Sequence, residues 1–262
     1  MTLWQAVVIL ISGFTAGAIN SVAGGGTLIT FPALVWIGMD PKVANVTSTV
    51  ALWPGSLSGM VGFRRELAGS RRWMLLLAGP SVLGGLAGAL LLLRTDAGTF
   101  ARIVPFLILF ATLLFAAGEP ISRRLHRAAE QRGGETGAGK RSRAWWVGAA
   151  IFQFAVAVYG GYFGAGIGIL MLAALGLLGL TDIHQMNGLK NFFALCINII
   201  AALYFMLWGP VEWQAALVMA VGSIAGGLGG AGLARRLGRT FVRRAVILVG
   251  LAMALSLLLF RR

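Results

Sequence analysis

Ten runs of apolar residues, several without a single charge, dominate the chain and leave it few folds to adopt. They fall at roughly 3–22, 27–38, 42–62, 72–93 and 98–118, and again at roughly 145–163, 166–179, 185–208, 211–233 and 240–260. A helix rises about 1.5 Å per residue, so about 20 such residues cross the hydrocarbon core of a bilayer. With 58% hydrophobic and only 11% charged residues and a mean hydropathy of +0.85, the sequence lies outside soluble composition. It reads as an all-α polytopic membrane protein. The opening MTLWQAVVIL lacks a basic n-region and a small-residue cleavage site, so it reads as a retained first helix and not a signal peptide.

Composition also removes classes of function. The single Cys196 excludes an intrachain disulfide or a multi-cysteine metal site, and two histidines, His126 and His184, cannot build a haem pair or a histidine-rich cage. No metal and no cofactor is expected. The net charge of +14 comes from short basic runs between oily segments, which is the pattern of cytoplasmic loops and not of a nucleic-acid surface.

The segments fall into two sets of five, separated by EPISRRLHRAAEQRGGETGAGKRSR, a stretch too polar to enter lipid. The expected organisation is a first transmembrane repeat at 1–118, a basic cytoplasmic linker at 119–143 and a second repeat at 144–262. Landmarks recur in order about 140 residues apart. Gly24-Gly25-Gly26 answers to Gly164-Ala165-Gly166, Gly69-Ser70-Arg71-Arg72-Trp73 to Gly209-Pro210-Val211-Glu212-Trp213, Gly84-Gly85-Leu86-Ala87-Gly88 to Gly226-Gly227-Leu228-Gly229-Gly230, and Thr99-Phe100 to Thr240-Phe241. Corresponding loops carry opposite bias: 63–72 holds four arginines against none in 209–213, and 234–244 holds five against two in 94–102. Placing 63–72, 119–143 and 234–244 in the cytoplasm collects sixteen of the twenty-two Lys and Arg residues there. Two inverted five-segment repeats with both termini outside follow from this bias. Segments 27–38 and 166–179, about 18 and 21 Å long as helices, fit either half-helices of a re-entrant hairpin or short spans.

The glycine run SVAGGGTLITFP interrupts an oily sequence with three poor helix formers. No lysine follows Gly26 in P-loop register, so the run is not a nucleotide loop. Pairs such as Gly84/Gly88 and Gly226/Gly230 have the spacing of close helix packing, whereas consecutive glycines break a helix. Short or broken helices at Gly24–Gly26 and Gly164–Gly166, at matching places in two repeats, point to a binding site in a transporter. The amides that open the following half-helices, near Thr27 and Ile167, favour an anion. Segment 185–208 adds a polar stripe at Asn187, Lys190, Asn191 and Asn198, and segment 42–62 repeats the spacing at Asn45, Ser48, Thr49 and Ser56. Hydrogen bonds between helices account for such groups equally well. Lys190 is different, because a lysine deep in a bilayer faces a cavity, a partner or a substrate unless it snorkels to the interface. Asp40, Asp96, Asp182 and Glu212 all lie at segment edges, so a substrate anion is a candidate counter-ion.

The stretch from GFTAGAINSVAGGGTLITFP to WPGSLSGMVGFRREL resembles the first repeat of the sulfite exporter TauE/SafE family, also described as the 4-toluene sulfonate uptake permease family. Carrying the match are GGG-x-L, the P-x-x-A-x-x-T-S segment at Pro41, Ala44, Thr47 and Ser48, and S-x-x-G at Ser56 and Gly59. YGGYFGAGIGILMLAAL and NGLKNFFALCINIIAALYF are similar to the second repeat, with Lys190-Asn191 where many members have Thr-Ser. The resemblance implies a multi-pass transporter of the bacterial inner membrane that moves small sulfur-containing anions such as sulfite, sulfoacetate or organosulfonates without ATP. The expected function is therefore secondary transport, as an exporter, by alternating access around a central site. An anion channel using that site as a filter is the alternative. An enzyme is not expected, since no buried carboxylate or histidine cluster stands out. Candidate substrate-binding residues are Gly24, Gly25, Gly26, Thr27, Asn45, Ser48 and Thr49 from the first repeat, and Gly164, Gly166, Asn187, Lys190 and Asn191 from the second. The expected partners are a small anion and the lipid bilayer, with no nucleic acid. Glycine-rich 222–232 fits packing within one chain or against a second copy, which leaves a homodimer open.

Overall fold

The computed structural model describes residues 1–22, 25–61, 67, 69–131, 143–178, 180, 182–237 and 239–259, and among these the chain is helical with no strand. The first half forms α1 (Leu3–Val22), α2 (Thr27–Trp36), α3 (Pro41–Val61), α4 (Arg71–Arg94) and α5 (Ala97–Gln131). The second forms α6 (Arg143–Tyr162), α7 (Ile167–Leu177), α8 (Ile183–Trp208), α9 (Trp213–Leu237) and α10 (Arg239–Leu259). Local chemistry sets the breaks. Gly38, at φ +97°, ends the turn after α2. Pro41 then opens α3, where its missing N–H would have had no intrahelical partner, and Asp40 Oδ1 accepts from the Lys42 and Val43 amides at 2.9 and 3.3 Å. Asp96 caps α5 through the Thr99 amide at 2.8 Å. The Thr99 side chain, with its amide, holds that carboxyl below the ordinary Asp range. One boundary lies beyond its expected place: α5 continues past residue 118 to Gln131, because ISRRLHRAAEQ is rich in Ala, Arg, Leu, Glu and Gln, which favour a helix once one has started.

α2 and α7 are ten and eleven residues long, about half a bilayer crossing. The Trp4 and Trp36 rings stack edge to face at 5.6 Å, and Gln5 Nε2 donates to the Ile37 carbonyl at 3.4 Å. The end of α2 thus lies beside the start of α1. α6 and α7 form the matching hairpin, with Leu175 and Leu180 in one buried cluster with Ala149 near the start of α6. The two hairpins meet where Phe31 of α2 stacks edge to face on Phe163, just past α6, at 5.5 Å.

Glycine contacts give the helix directions. Gly13 abuts Met219, and one turn on Gly17 abuts Ser223 and Gly227, so α1 and α9 run parallel. Gly84 abuts Phe154 and Val158, and Gly88 abuts Val158 and Tyr162, so α4 and α6 also run parallel. Conversely, Gly209 at the end of α8 touches Val46 near the start of α3, so these equivalent helices are antiparallel. The main helix pairs correspond when the halves are exchanged: α1 lies on α9 as α6 lies on α4, α3 on α9 as α8 on α4, and α2 on α10 as α7 on α5. Even atoms correspond, since Gly226 meets the Phe14 carbonyl and Ala18 amide while Gly84 meets the Phe154 carbonyl and Val158 amide. The repeats are therefore inverted. Among the described residues, five helices contain windows apolar and long enough to cross a membrane. Large apolar side chains such as Leu75, Leu83, Phe106, Leu217 and Leu228 are exposed on the outside, as a polytopic protein requires when lipid is its solvent.

Candidate functional site

Between the hairpin tips and the middles of α3 and α8 lies a cavity of about 60 Å³, several times the roughly 10–15 Å³ that a single water needs. Its wall combines Asn20, Gly25 and Thr27 from the first hairpin with Gly164, Ile167 and Gly168 from the second. Thr49, Leu52, Gly55 and Ser56 of α3 face Lys190, Asn191, Ala194 and Asn198 of α8.

The glycines make this geometry possible. Gly25 has φ +119°, Gly164 φ +79° and Gly166 φ +77°, values that L side chains rarely adopt. A Cβ on Gly25 would also press on the Phe115 ring at 2.9 Å. In the first hairpin the break is held by Asn20, whose Oδ1 accepts from the Gly25 and Gly26 amides at 3.1 and 2.7 Å. The second hairpin uses another device, with Tyr159 Oη donating to the Ala165 carbonyl at 2.7 Å. Neither α2 nor α7 carries a side-chain cap. The amides of Thr27, Ile167 and Gly168 come first in their helices, before the i to i−4 ladder begins, and these residues line the cavity. Two positive helix ends thus converge on one space.

Lys190 is 2% exposed, so its ammonium is enclosed by protein and does not snorkel to the surface. Its Nζ donates to Asn187 Oδ1 at 3.2 Å. Next to it, Asn191 Nδ2 is buried without a hydrogen-bond partner, a donor for which the described protein supplies no acceptor. Backbone amides, a lysine and an asparagine amide give a site rich in donors, which suits an anion with several acceptor oxygens.

Of the residues expected at the site, Gly25, Thr27, Thr49, Gly164, Lys190 and Asn191 line the cavity. Gly24 lies outside the described residues. The others stand one layer behind. Gly26 opens α2 against the Ala16 carbonyl and Asn20, and Gly166 caps α7 beside Ala111. Asn187 receives Lys190. The Ser48 hydroxyl is 2.6 Å from that of Thr30, while Asn45 Nδ2 donates to the Tyr162 carbonyl at 2.9 Å. Ser48 and Asn45 are thus interhelical hydrogen bonders. Asn20 went unnoticed in the sequence, where a lone amide side chain one turn before a glycine break is its only signal. Ser56 and Asn198 belong to the polar stripes and also reach the cavity.

Inverted repeats with broken helices around a central polar cavity define a membrane transporter. The model of the sulfite exporter TauE/SafE family matches residues 9–257, and the chain belongs to that family. It is 32% identical to a probable membrane transporter protein of Haemophilus influenzae over 92% of this chain and 89% of the relative. It is 29% identical to the probable membrane transporter protein YfcA of Escherichia coli K12, over 93% and 86% of the two chains. The probable membrane transporter protein YunE of Bacillus subtilis is 27% identical over 93% and 95%. No solved structure matches the chain.

Proposed function

We propose that the protein is a secondary transporter of the bacterial inner membrane that exports a small sulfur-containing oxyanion, such as sulfite, sulfoacetate or another organosulfonate. The observation that carries this reading is the convergence of the α2 and α7 N-termini with Lys190 and Asn191 on one cavity. The family description supplies the sulfur chemistry. In this reading 1–118 and 144–262 are the two repeats, 119–143 is the cytoplasmic linker, and the hairpins alternate access to the cavity. Reconstitution in liposomes tests it. Sulfite or sulfoacetate flux should saturate with concentration and be accelerated by unlabelled anion on the opposite side. Flux that rises linearly without that acceleration would make the cavity the filter of an anion channel, and absence of flux for every oxyanion would end the proposal.

A further inference from the structure

Where α4 and α6 begin side by side, three indoles and a guanidinium gather at one end of the molecule. The Trp73 ring lies 5.2 Å from that of Trp146 and 6.1 Å from that of Trp145, and Trp145 and Trp146 meet at 4.8 Å. Arg72 Cζ sits 5.1 Å from the Trp146 ring centre, within cation–π range. All three indoles are half-buried, whereas Arg71 and Arg72 are exposed. The surface next to them is apolar. Arg72, Leu76, Gly79 and Leu83 follow one face of α4, with Leu76 and Leu83 exposed and open space beside Gly79. Alongside, α6 exposes Val147 and Ile151, again with open space at Gly148. A cationic, indole-rich head above an apolar track has the polarity of one phospholipid seen from the side.

The inverted repeat provides an internal comparison. Arg72-Trp73 at the start of α4 corresponds to Glu212-Trp213 at the start of α9. Trp213, unlike the half-buried Trp73, is exposed, and the neighbouring charge has the opposite sign. The fold accepts either charge beside this tryptophan, so folding does not demand the arginine. The end that carries it is also the end from which the arginine-rich 63–72 and the basic linker emerge, and the inner leaflet is the anionic one. We infer that Arg72, Trp73, Trp145 and Trp146 form a binding site for the headgroup of an anionic phospholipid, whose acyl chains lie along α4 and α6. Arg72 contacts the phosphate with the N–H edges left free by stacking, and the indoles anchor the glycerol region.

Full-length protein in detergent, titrated with phosphatidylglycerol or phosphatidylcholine of identical chains and observed by native mass spectrometry, tests this site. Wild type should retain phosphatidylglycerol over phosphatidylcholine. Arg72→Gln should lower that preference by about fivefold, the weight of one basic residue near a charged surface, and Arg72→Glu and Trp146→Leu should each lower it further. Because Arg72 is exposed, the melting temperature of Arg72→Gln in lipid-free detergent should equal that of wild type. Arg94→Gln, at the opposite end of α4, should leave the preference intact, and millimolar inorganic phosphate should not displace the lipid. Equal retention of the two lipids by wild type would overturn the site, as would an Arg94→Gln effect as large as that of Arg72→Gln. Displacement by phosphate would make it a free-phosphate site and overturn the lipid assignment.

Discussion

Asn20 and Lys190 show how a few polar atoms organise an apolar protein. Asn20 lies one turn before the glycine break, and its carbonyl oxygen takes two amides at the entry to α2 that no helical ladder pairs. An unpaired buried N–H costs roughly 1–3 kcal/mol. Asn20→Ala should therefore lower unfolding stability by about 2 kcal/mol and weaken anion binding, because the Thr27 amide loses its fixed position. Asn20→Asp, which keeps the accepting oxygen, should retain more stability than Asn20→Ala, and thermal unfolding in detergent compares the two. At this scale the sequence was partly legible. Period 3.6 placed Thr49, Lys190 and Asn191 on inward faces, and the cavity receives them. The same period could not tell which inward groups are consumed by neighbours. Ser48 is held by Thr30 and Asn45 by Tyr162, and both partners lie on other elements that no spacing within α3 reveals.

Among the elements, glycine is the packing surface of the two long parallel pairs. Gly226 rests against the Phe14 carbonyl and Ala18 amide, so a branched side chain there must push α9 off α1. Gly226→Val should destabilise the protein by about 2 kcal/mol or more. Gly229, on the same helix with nothing within 4 Å, gives the contrast: Gly229→Ala should be neutral or stabilising by up to about 1 kcal/mol. Melting temperatures of the two variants measure the difference. The spacing at Gly84/Gly88 already pointed to close packing, and α6 supplies the partner. Segments 27–38 and 166–179 were ambiguous, because their apolar length fits a short span or half of a hairpin equally well. The stacking of Trp36 on Trp4 and the Gln5 hydrogen bond to the Ile37 carbonyl show that α2 returns to where α1 begins. α5 was underestimated because hydropathy marks where lipid ends, whereas a helix ends where its backbone stops being helical.

For the molecule as a whole, the inverted repeat was the most legible feature, since loop charge and recurring glycines both encode it, and the antiparallel α3 and α8 carry it out. Loop charge predicts the sidedness. A cysteine introduced at position 140 in a Cys196→Ala background should resist membrane-impermeant maleimide in intact cells and react once the membrane is opened; labelling in intact cells would reverse the orientation. In the proposed mechanism the cavity between the hairpins holds a small oxyanion through the helix amides and Lys190. Equilibrium binding of sulfite, thiosulfate, sulfoacetate and sulfate to purified protein, wild type against Lys190→Met, tests it most directly. Methionine keeps the length of the lysine stem and adds no unpaired donor to the cavity, so melting temperature should hold. Losing a charged hydrogen-bond donor should weaken the bound anion by about 1.5–3 kcal/mol, roughly tenfold or more. Saturable binding of at least one of these anions that drops by this factor in folded Lys190→Met is the predicted result. Binding of none of them, or equal affinity in the two proteins, would show that the cavity does not hold these anions through Lys190.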